Sequence, residues 1–181
     1  GAVLFWVLNH FPAITKAVIN DINEDLINAY KAIQTDVKTL IMHLKQLEDD
    51  YYQIKQEEGR KEFFLERREE FNTRTNNISK HSALLIFLNR TCFNGLYRVN
   101  SRNKFNVPFG RYKNPRICDT SNLKALNKVL QKVTILNTDF TETYKHVEDR
   151  TAFFYLDPPY KPISQTSSFN SYSKEGFDDK Q

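Results

Sequence analysis

The apolar positions of the chain change period several times, and each change predicts an element. Residues 3–8 form a short apolar run that reads as a buried helix or strand, and Phe11-Pro12 breaks it. Residues 16–21 (KAVIND) join β-branched apolar side chains to an acidic end, as in a parallel strand. Leu26, Ile27, Tyr30 and Ile33 then recur at helical spacing. From 37 to 71 that period continues through Leu40, Leu44, Leu47, Phe63 and Phe64 amid dense charge, with Gly59 marking a break between two amphipathic helices. Their acidic positions, Glu48, Asp49, Asp50, Glu57, Glu58, Glu69 and Glu70, read as solvated faces. Residues 82–88 predict an apolar helix. Residues 94–112 (NGLYRVNSRNKFNVPFGRY) read as a hairpin, with alternating strands at 96–99 and 105–107 joined by a polar turn. A helix at 123–130 and strands at 133–136 and 153–156 follow, then a Ser-rich stretch to Tyr172 and the start of a final helix over 174–181. Strand, helix and strand resume after the helical block, which predicts an α/β protein whose parallel sheet is interrupted by an insertion.

Composition narrows the function classes. The 181 residues are 40% hydrophobic and 13% aromatic, which supplies a core and excludes a wholly disordered chain. No apolar run approaches the ~18 residues that a membrane helix needs, and the opening stretch lacks the basic leader and cleavage site of a secretion signal. Cys92 and Cys118 are the two cysteines, and with no CxxC pair or clustered His/Cys ligands neither a disulfide framework nor a metal site is expected. These features point to a reducing, cytoplasmic setting. The chain opens at Gly1 on an apolar run without an initiator Met and ends on a charged, helix-like stretch, so it reads as a piece of something longer.

Charge is unevenly distributed. Between Phe71 and Cys118 there is no Asp or Glu, while Arg74, Lys80, Arg90, Arg98, Arg102, Lys104, Arg111, Lys113 and Arg116 all fall there, although the whole chain is only +4. Phe93, Tyr97, Phe105, Phe109 and Tyr112 are interleaved with them. Basic residues mixed with aromatics suit phosphate contact combined with base stacking, and a basic hairpin suits a nucleic-acid groove; a soluble basic loop with core aromatics is the alternative.

Two acidic positions stand at predicted strand ends. Asp21 follows KAVIN, where the C-terminal edge of a parallel sheet can offer a carboxylate to the two hydroxyls of a ribose; it also lies where a helix N-cap would sit. Asp157-Pro158-Pro159-Tyr160 follows FFYL, and presents a carboxylate, a rigid diproline and an aromatic ring together. This combination fits methylation of an exocyclic amine. The lone pair of such an amine is delocalised into its ring, so acceptors must take both N–H groups to localise it on nitrogen. Asp157 and the Pro158 carbonyl can act as those acceptors, and Tyr160 offers a face for an extruded base. A plain Asp-Pro turn is the structural alternative.

DPPY with its preceding strand, the INDIN and ILNTDF segments, and NRTCFNGLYRVN followed by FNVPFGRY resemble the Dam-type (D12 class) DNA adenine methylases over nearly the whole chain. The resemblance implies a Rossmann-like, S-adenosylmethionine-dependent methyltransferase sheet with an inserted helical plus β-hairpin target-recognition region. The catalytic unit would comprise 1–36 and 117–181, and the insertion 37–116. It further implies that Asp21 holds the cofactor's ribose, that Asp139 and Phe140 receive its adenine, and that Asp157, Pro158, Pro159 and Tyr160 form the catalytic pocket, with Asp157 also facing the cofactor. Gly1 and Ala2 stand where the family's F-x-G-x-G loop ends, and the rest of that loop is absent. On the DNA side it places Asn94, Leu96, Arg98, Asn106, Pro108 and Arg111. Arg98 and Arg111 would contact target guanines or nearby phosphates, Leu96 and Pro108 would wedge into the stack, and Asn94 with Gly95 would shape the turn presenting Leu96. The implied partner is double-stranded DNA at GATC sites, with a cognate restriction endonuclease as a further partner. Cys92 and Cys118 have no nucleophilic role in direct transfer to an amine. With the glycine loop and the later strands missing, the half-sheet is expected to be marginal, and a DNA-binding module without catalysis is one alternative. An amino-methyltransferase acting on cytosine or on RNA is another.

Overall fold

The computed structural model describes residues 1–147 and 152–157. Among these residues the element order is α1 (Ala2–His10), β1 (Ala17–Asn20), α2 (Glu24–Thr35), α3 (Val37–Gln53), α4 (Glu57–Thr73), α5 (Ile78–Thr91), α6 (Thr120–Leu130) and β2 (Val133–Leu136), with 3-10 turns at Phe93–Gly95 and Phe140–His146. β1 and β2 pair in parallel, Ala17 opposite Val133 and Asn20 opposite Leu136. Helices α2 to α6 all fall between them in sequence. A parallel pair needs such a crossover, because the chain must return to the starting end of the sheet before it can pair again.

Local chemistry sets most helix starts. Asn23, Asp36, Asn77 and Asp119 are N-caps, each accepting a backbone N–H of the first turn through its side chain, from Leu26, Thr39, Lys80 and Asn122 respectively. Each satisfies a donor that the helix itself cannot, which is worth about 1 kcal/mol. α4 lacks such a cap and ends instead at Arg74 in the left-handed region, φ 55°.

Helix α5 is the centre of the helical block and packs against α2, α3 and α4. Ser82, Ala83, Leu84, Phe87 and Leu88 have no exposed surface, so the helix is apolar on nearly every side, as a surrounded helix must be. The core is contiguous: Leu8, Ile33, Leu40, Leu44, Phe64, Phe71, Leu84, Phe105, Leu130 and Val133 belong to one cluster that joins the sheet to the helical block. The loop after α5 is fastened to it by its inward aromatics. Phe105 meets Phe71 edge-on with centroids 6.1 Å apart, and Phe109 lies 5.5 Å from Phe64.

Four sequence expectations are corrected. The α3–α4 break falls at residues 54–56, and Gly59 lies inside α4, where a Cβ would come within 2.8 Å of the Ile54 Cγ2; the glycine marks a close approach, not a helix end. The segments 96–99 and 105–107 do not form two strands. They meet through isolated antiparallel bridges, Val99 with Phe105 and Cys92 with Phe109, because their inward side chains pack on helices and no further strand extends the ladder. Residues 152–157 form no strand, and Phe153 is 85% exposed; a strand needs a hydrogen-bonded neighbour, and the described sheet pairs β1 with β2. The N-cap of α2 is Asn23 and not Asp21.

Candidate functional site

The C-terminal ends of β1 and β2 lie side by side, and two polar loops leave the sheet there. Asparagine side chains stitch them together. Asn20 at the end of β1 donates from Nδ2 to the Asp139 carbonyl (3.1 Å) and the Thr143 hydroxyl (2.9 Å), and its Oδ1 accepts the Thr138 amide (3.0 Å). Asn137 donates back to the Asp21 carbonyl at 2.8 Å. Asp21 and Asp139, far apart in sequence, thereby share one sheet edge.

Each acid has its own setting. Asp21 is part-buried and its Oδ1 accepts the Asn23 amide at 2.7 Å, which shapes the loop into α2. Asp139 accepts the Thr141 hydroxyl (2.6 Å) and amide (2.9 Å), and these donors hold its carboxyl below the usual range, so it carries its charge across the neutral pH range. Phe140 follows it, 42% exposed. Tyr30 of α2 belongs to this neighbourhood: burial first, and then the negative charge of Asp21, push its phenol above the ordinary value. Gly1 lies against the Tyr30 hydroxyl at the mouth of α1, so a Cβ there would require the Tyr30 ring to shift, and the Gly1 carbonyl accepts the Phe5 amide. Gly1, Ala2, Tyr30 and Asp21 are therefore grouped at one side of the edge. Tyr30 was legible in the sequence only as one position of an apolar stripe. Asp157 is exposed at the end of the segment 152–157; Pro158, Pro159 and Tyr160 lie outside the described residues.

The basic loop is built on the C-terminal end of α5. The Gly110 amide donates to the Thr91 carbonyl at 2.8 Å, and a Cβ at Gly110 would come within 2.5 Å of the Cys92 carbonyl oxygen, so glycine alone allows this close approach. Asn94 and Gly95 take left-handed backbone, φ 53° and 60°, and turn the chain so that Leu96 stands 37% exposed. The Asn94 amide donates to the Tyr112 hydroxyl at 3.0 Å, and the Phe93 amide to the carbonyl of exposed Pro108 at 2.8 Å. Arg98 donates from Nε to Asn106 Oδ1 at 2.8 Å and from Nη2 to the Asn106 carbonyl at 3.3 Å. Arg111 also sits in the left-handed region, φ 56°, an unfavourable setting for a residue with a Cβ, and its exposed side chain lies 3.6 Å from Glu57.

The interleaved aromatics divide. Phe93 and Tyr112 are exposed, whereas Phe105 is 1% exposed, Phe109 packs on Phe64, and Tyr97 turns inward. The expected stacking face is thus narrower than the sequence indicated. The acids read as solvated divide as well. Glu70 pairs with Lys80 at 2.6 Å and Arg67 at 3.3 Å, and Glu48 accepts the Cys118 amide. Cys92 is buried, and burial pushes its thiol up to about 11, so it is neutral and packs like an apolar residue. Among the described residues no group of His, Cys, Asp and Glu could hold a metal ion, and no helix is long and apolar enough to cross a membrane.

One cluster escaped the sequence reading altogether. Asp25 of α2 is 4% exposed and accepts four hydrogen bonds: from Arg74 Nη1 (2.6 Å) and Nη2 (3.0 Å), from His81 Nε2 (2.9 Å) and from the Tyr97 hydroxyl (2.9 Å). The available signal was its place in the stripe Asp25, Ala29, Ala32, Ile33, where a carboxylate follows the spacing of core residues.

Comparison with known proteins identifies the family of the chain. The family model described as D12 class N6 adenine-specific DNA methyltransferase matches residues 1–181. The chain is 49% identical over 181 residues to the type II methyltransferase M.MjaIII of Methanocaldococcus jannaschii, covering 99% of this chain and 62% of that protein. It is 41% identical over 184 residues to the type II methyltransferase M1.LlaDCHI of Lactococcus lactis subsp. cremoris (98% and 60%), and 34% identical over 160 residues to a DNA adenine methylase of Vibrio cholerae (88% and 54%). The chain thus spans little more than half the length of these relatives. With a full-length family match and a mixed α/β fold carrying a small parallel sheet, the chain belongs to the D12 class N6 adenine-specific DNA methyltransferases.

Proposed function

We propose that the protein transfers a methyl group from S-adenosylmethionine to the exocyclic amine of adenine in duplex DNA, within GATC. One observation carries this reading: two acids from separate loops, Asp21 and Asp139, meet on one sheet edge of a chain whose α5 loop is basic and free of acids. The residues fit the methyl donor. Asp21 offers a carboxylate to a ribose, Asp139 and Phe140 offer an acceptor and a ring to a purine, and Gly1 lies close against the Tyr30 hydroxyl. S-adenosylmethionine supplies an electron-poor methyl group on a sulfonium.

The chain's own residues do the rest. Asp157 and the Pro158 carbonyl accept the two amine N–H groups and localise the lone pair on nitrogen, while Tyr160 stacks on the flipped base. Displacement would be direct and in line: the amine nitrogen gains the methyl as the carbon–sulfur bond of the sulfonium breaks and its electron pair stays on the leaving thioether, while the nitrogen's proton goes to Asp157 or to solvent, so no enzyme nucleophile is needed. In the loop, Arg98 and Arg111 read guanine or bind adjacent phosphates, Leu96 and Pro108 wedge against the stack, and Asn106 orients Arg98. Residues 1–36 and 117–181 serve as the catalytic unit and 37–116 as the target-recognition insertion.

The test is transfer of labelled methyl from S-adenosylmethionine by the intact protein to a duplex with one GATC and to a scrambled duplex, with the product nucleoside identified. N6-methyladenine in the first duplex alone is expected. Methylcytidine, or transfer to RNA, would overturn the substrate; transfer to neither duplex together with retained DNA binding would reduce the protein to a binding module.

A further inference from the structure

The Asp25 cluster joins the two surfaces of the site. Tyr97 stands between Leu96 and Arg98 in sequence, and in extended backbone successive side chains alternate, so while its neighbours are the loop's candidate DNA contacts its own ring turns inward. The ring packs edge-on against Phe105, centroids 6.0 Å apart, and the hydroxyl donates to Asp25 at 2.9 Å. Asp25 stands in the first turn of α2, two residues after its N-cap Asn23. The Asn23 amide in turn donates to Asp21 Oδ1 at 2.7 Å. One phenol thus separates the candidate DNA contacts from the candidate ribose acid.

Stability alone does not account for the arrangement. A buried ion cluster is costly to desolvate, and apolar replacements of similar volume are often as stable. What the cluster adds is position. Arg74 grips Asp25 with both Nη atoms and also donates to the Asn103 carbonyl at 3.0 Å, so the far end of the basic loop is tied to the same carboxylate. Tyr97 belongs to that loop, so a shift of the loop that displaces its phenol breaks the bond to Asp25, in the first turn of the helix that follows Asp21.

We propose that Tyr97, held by Asp25, is a positioning residue that couples the DNA-recognition loop to the cofactor edge, so that seating of a target duplex tightens binding at Asp21 and cofactor binding tightens the duplex by the same factor. The inference rests on the functional reading above. Its test measures S-adenosylhomocysteine affinity of the intact protein by calorimetry, alone and with saturating GATC duplex, in the wild type, in Tyr97→Phe and in Arg74→Lys.

The wild type is expected to bind S-adenosylhomocysteine about 10-fold more tightly with duplex present, a coupling of ordinary size. Tyr97→Phe keeps the ring and its contact with Phe105, and is expected to keep the DNA-free affinity within about twofold while losing most of the tightening. Arg74→Lys weakens the cluster but leaves the phenol contact, and is expected to lower the melting temperature while retaining the coupling. Unchanged coupling in Tyr97→Phe overturns the inference, as does an equal loss in both variants, which would show that coupling follows stability alone. Binding of both ligands by the wild type without any coupling overturns it too and leaves the functional reading intact. No S-adenosylhomocysteine binding in any form overturns the functional reading, and the inference with it.

Discussion

Asp25 keeps a charge in the core because four donor contacts from Arg74, His81 and Tyr97 converge on its two oxygens. Burial alone would raise its carboxyl, but the bonds from His81, Arg74 and Tyr97 outweigh that effect and hold it well below the ordinary range. The folded value lies below the unfolded one, so the stabilisation is complete above the unfolded value near ~3.9 and is lost as pH falls toward the folded value. Asp25→Asn, which leaves the partly buried Arg74 without its charge partner, is expected to cost about 3 kcal/mol at pH 7 in urea titration. The gap to the wild type should narrow at pH 3. A gap that stayed constant between the two pH values would show that the lost bonds, and not the charge, matter. Nothing in composition or motif flags this residue. Its charge looks like an ordinary acid in the first turn of α2, and only the packing of α4, α5 and the loop around it reveals the need for neutralisation.

At the scale of elements, the loop after α5 shows why alternation misled. Leu96 to Val99 and Phe105 to Val107 alternate as a hairpin would, but of the inward members Tyr97, Phe105 and Val107 pack against the core shared with the helices, and Val99 is buried beside them. One bridge at Val99 and Phe105 therefore suffices, and the polar turn 100–104 is closed by its own asparagines: Asn100 Oδ1 accepts the amides of Arg102 and Lys104. The outward members are the ones the motif indicated. Arg111→Ala is expected to weaken binding to a GATC duplex by about 1 to 3 kcal/mol and to relax preference over a scrambled duplex, as loss of a base contact does. An equal loss on both duplexes in fluorescence anisotropy would make Arg111 a phosphate contact. Its left-handed backbone means that the alanine variant has no less strain than the arginine, so a change in binding reports the side chain.

Across the whole molecule, the candidate cofactor edge and the basic loop share one core. The sheet edge carries Asp21 and Asp139, the α5 loop carries the basic contacts, and the core from Leu8 to Val133 makes them parts of one packed unit. Removing the carboxylate proposed for catalysis should therefore leave the second surface intact. Asp157→Ala is expected to abolish methyl transfer, by about 10³-fold or more as for lost charge-directing groups elsewhere, while GATC duplex binding stays within about twofold. Loss of both together, with a cooperative melt still present, would assign Asp157 to DNA binding as well.

The sequence by itself determined what depends on neighbours along the chain. The helices after the first, the strands KAVIN and VTIL and the acid-free basic block follow from spacing along the chain. The family's motifs were legible for the same reason, since each is a run of adjacent residues. The tertiary structure decided what depends on distant partners: that β1 pairs with β2 and brings Asp21 beside Asp139, that Gly59 and Gly110 mark close approaches, and that Tyr97 turns inward while Leu96 does not. Above all it decided that Asp25 is a hub for Arg74, His81 and Tyr97. Periodicity shows which face of an element is buried, but only packing shows which charged groups meet inside it, because desolvation and pairing are properties of the assembled core.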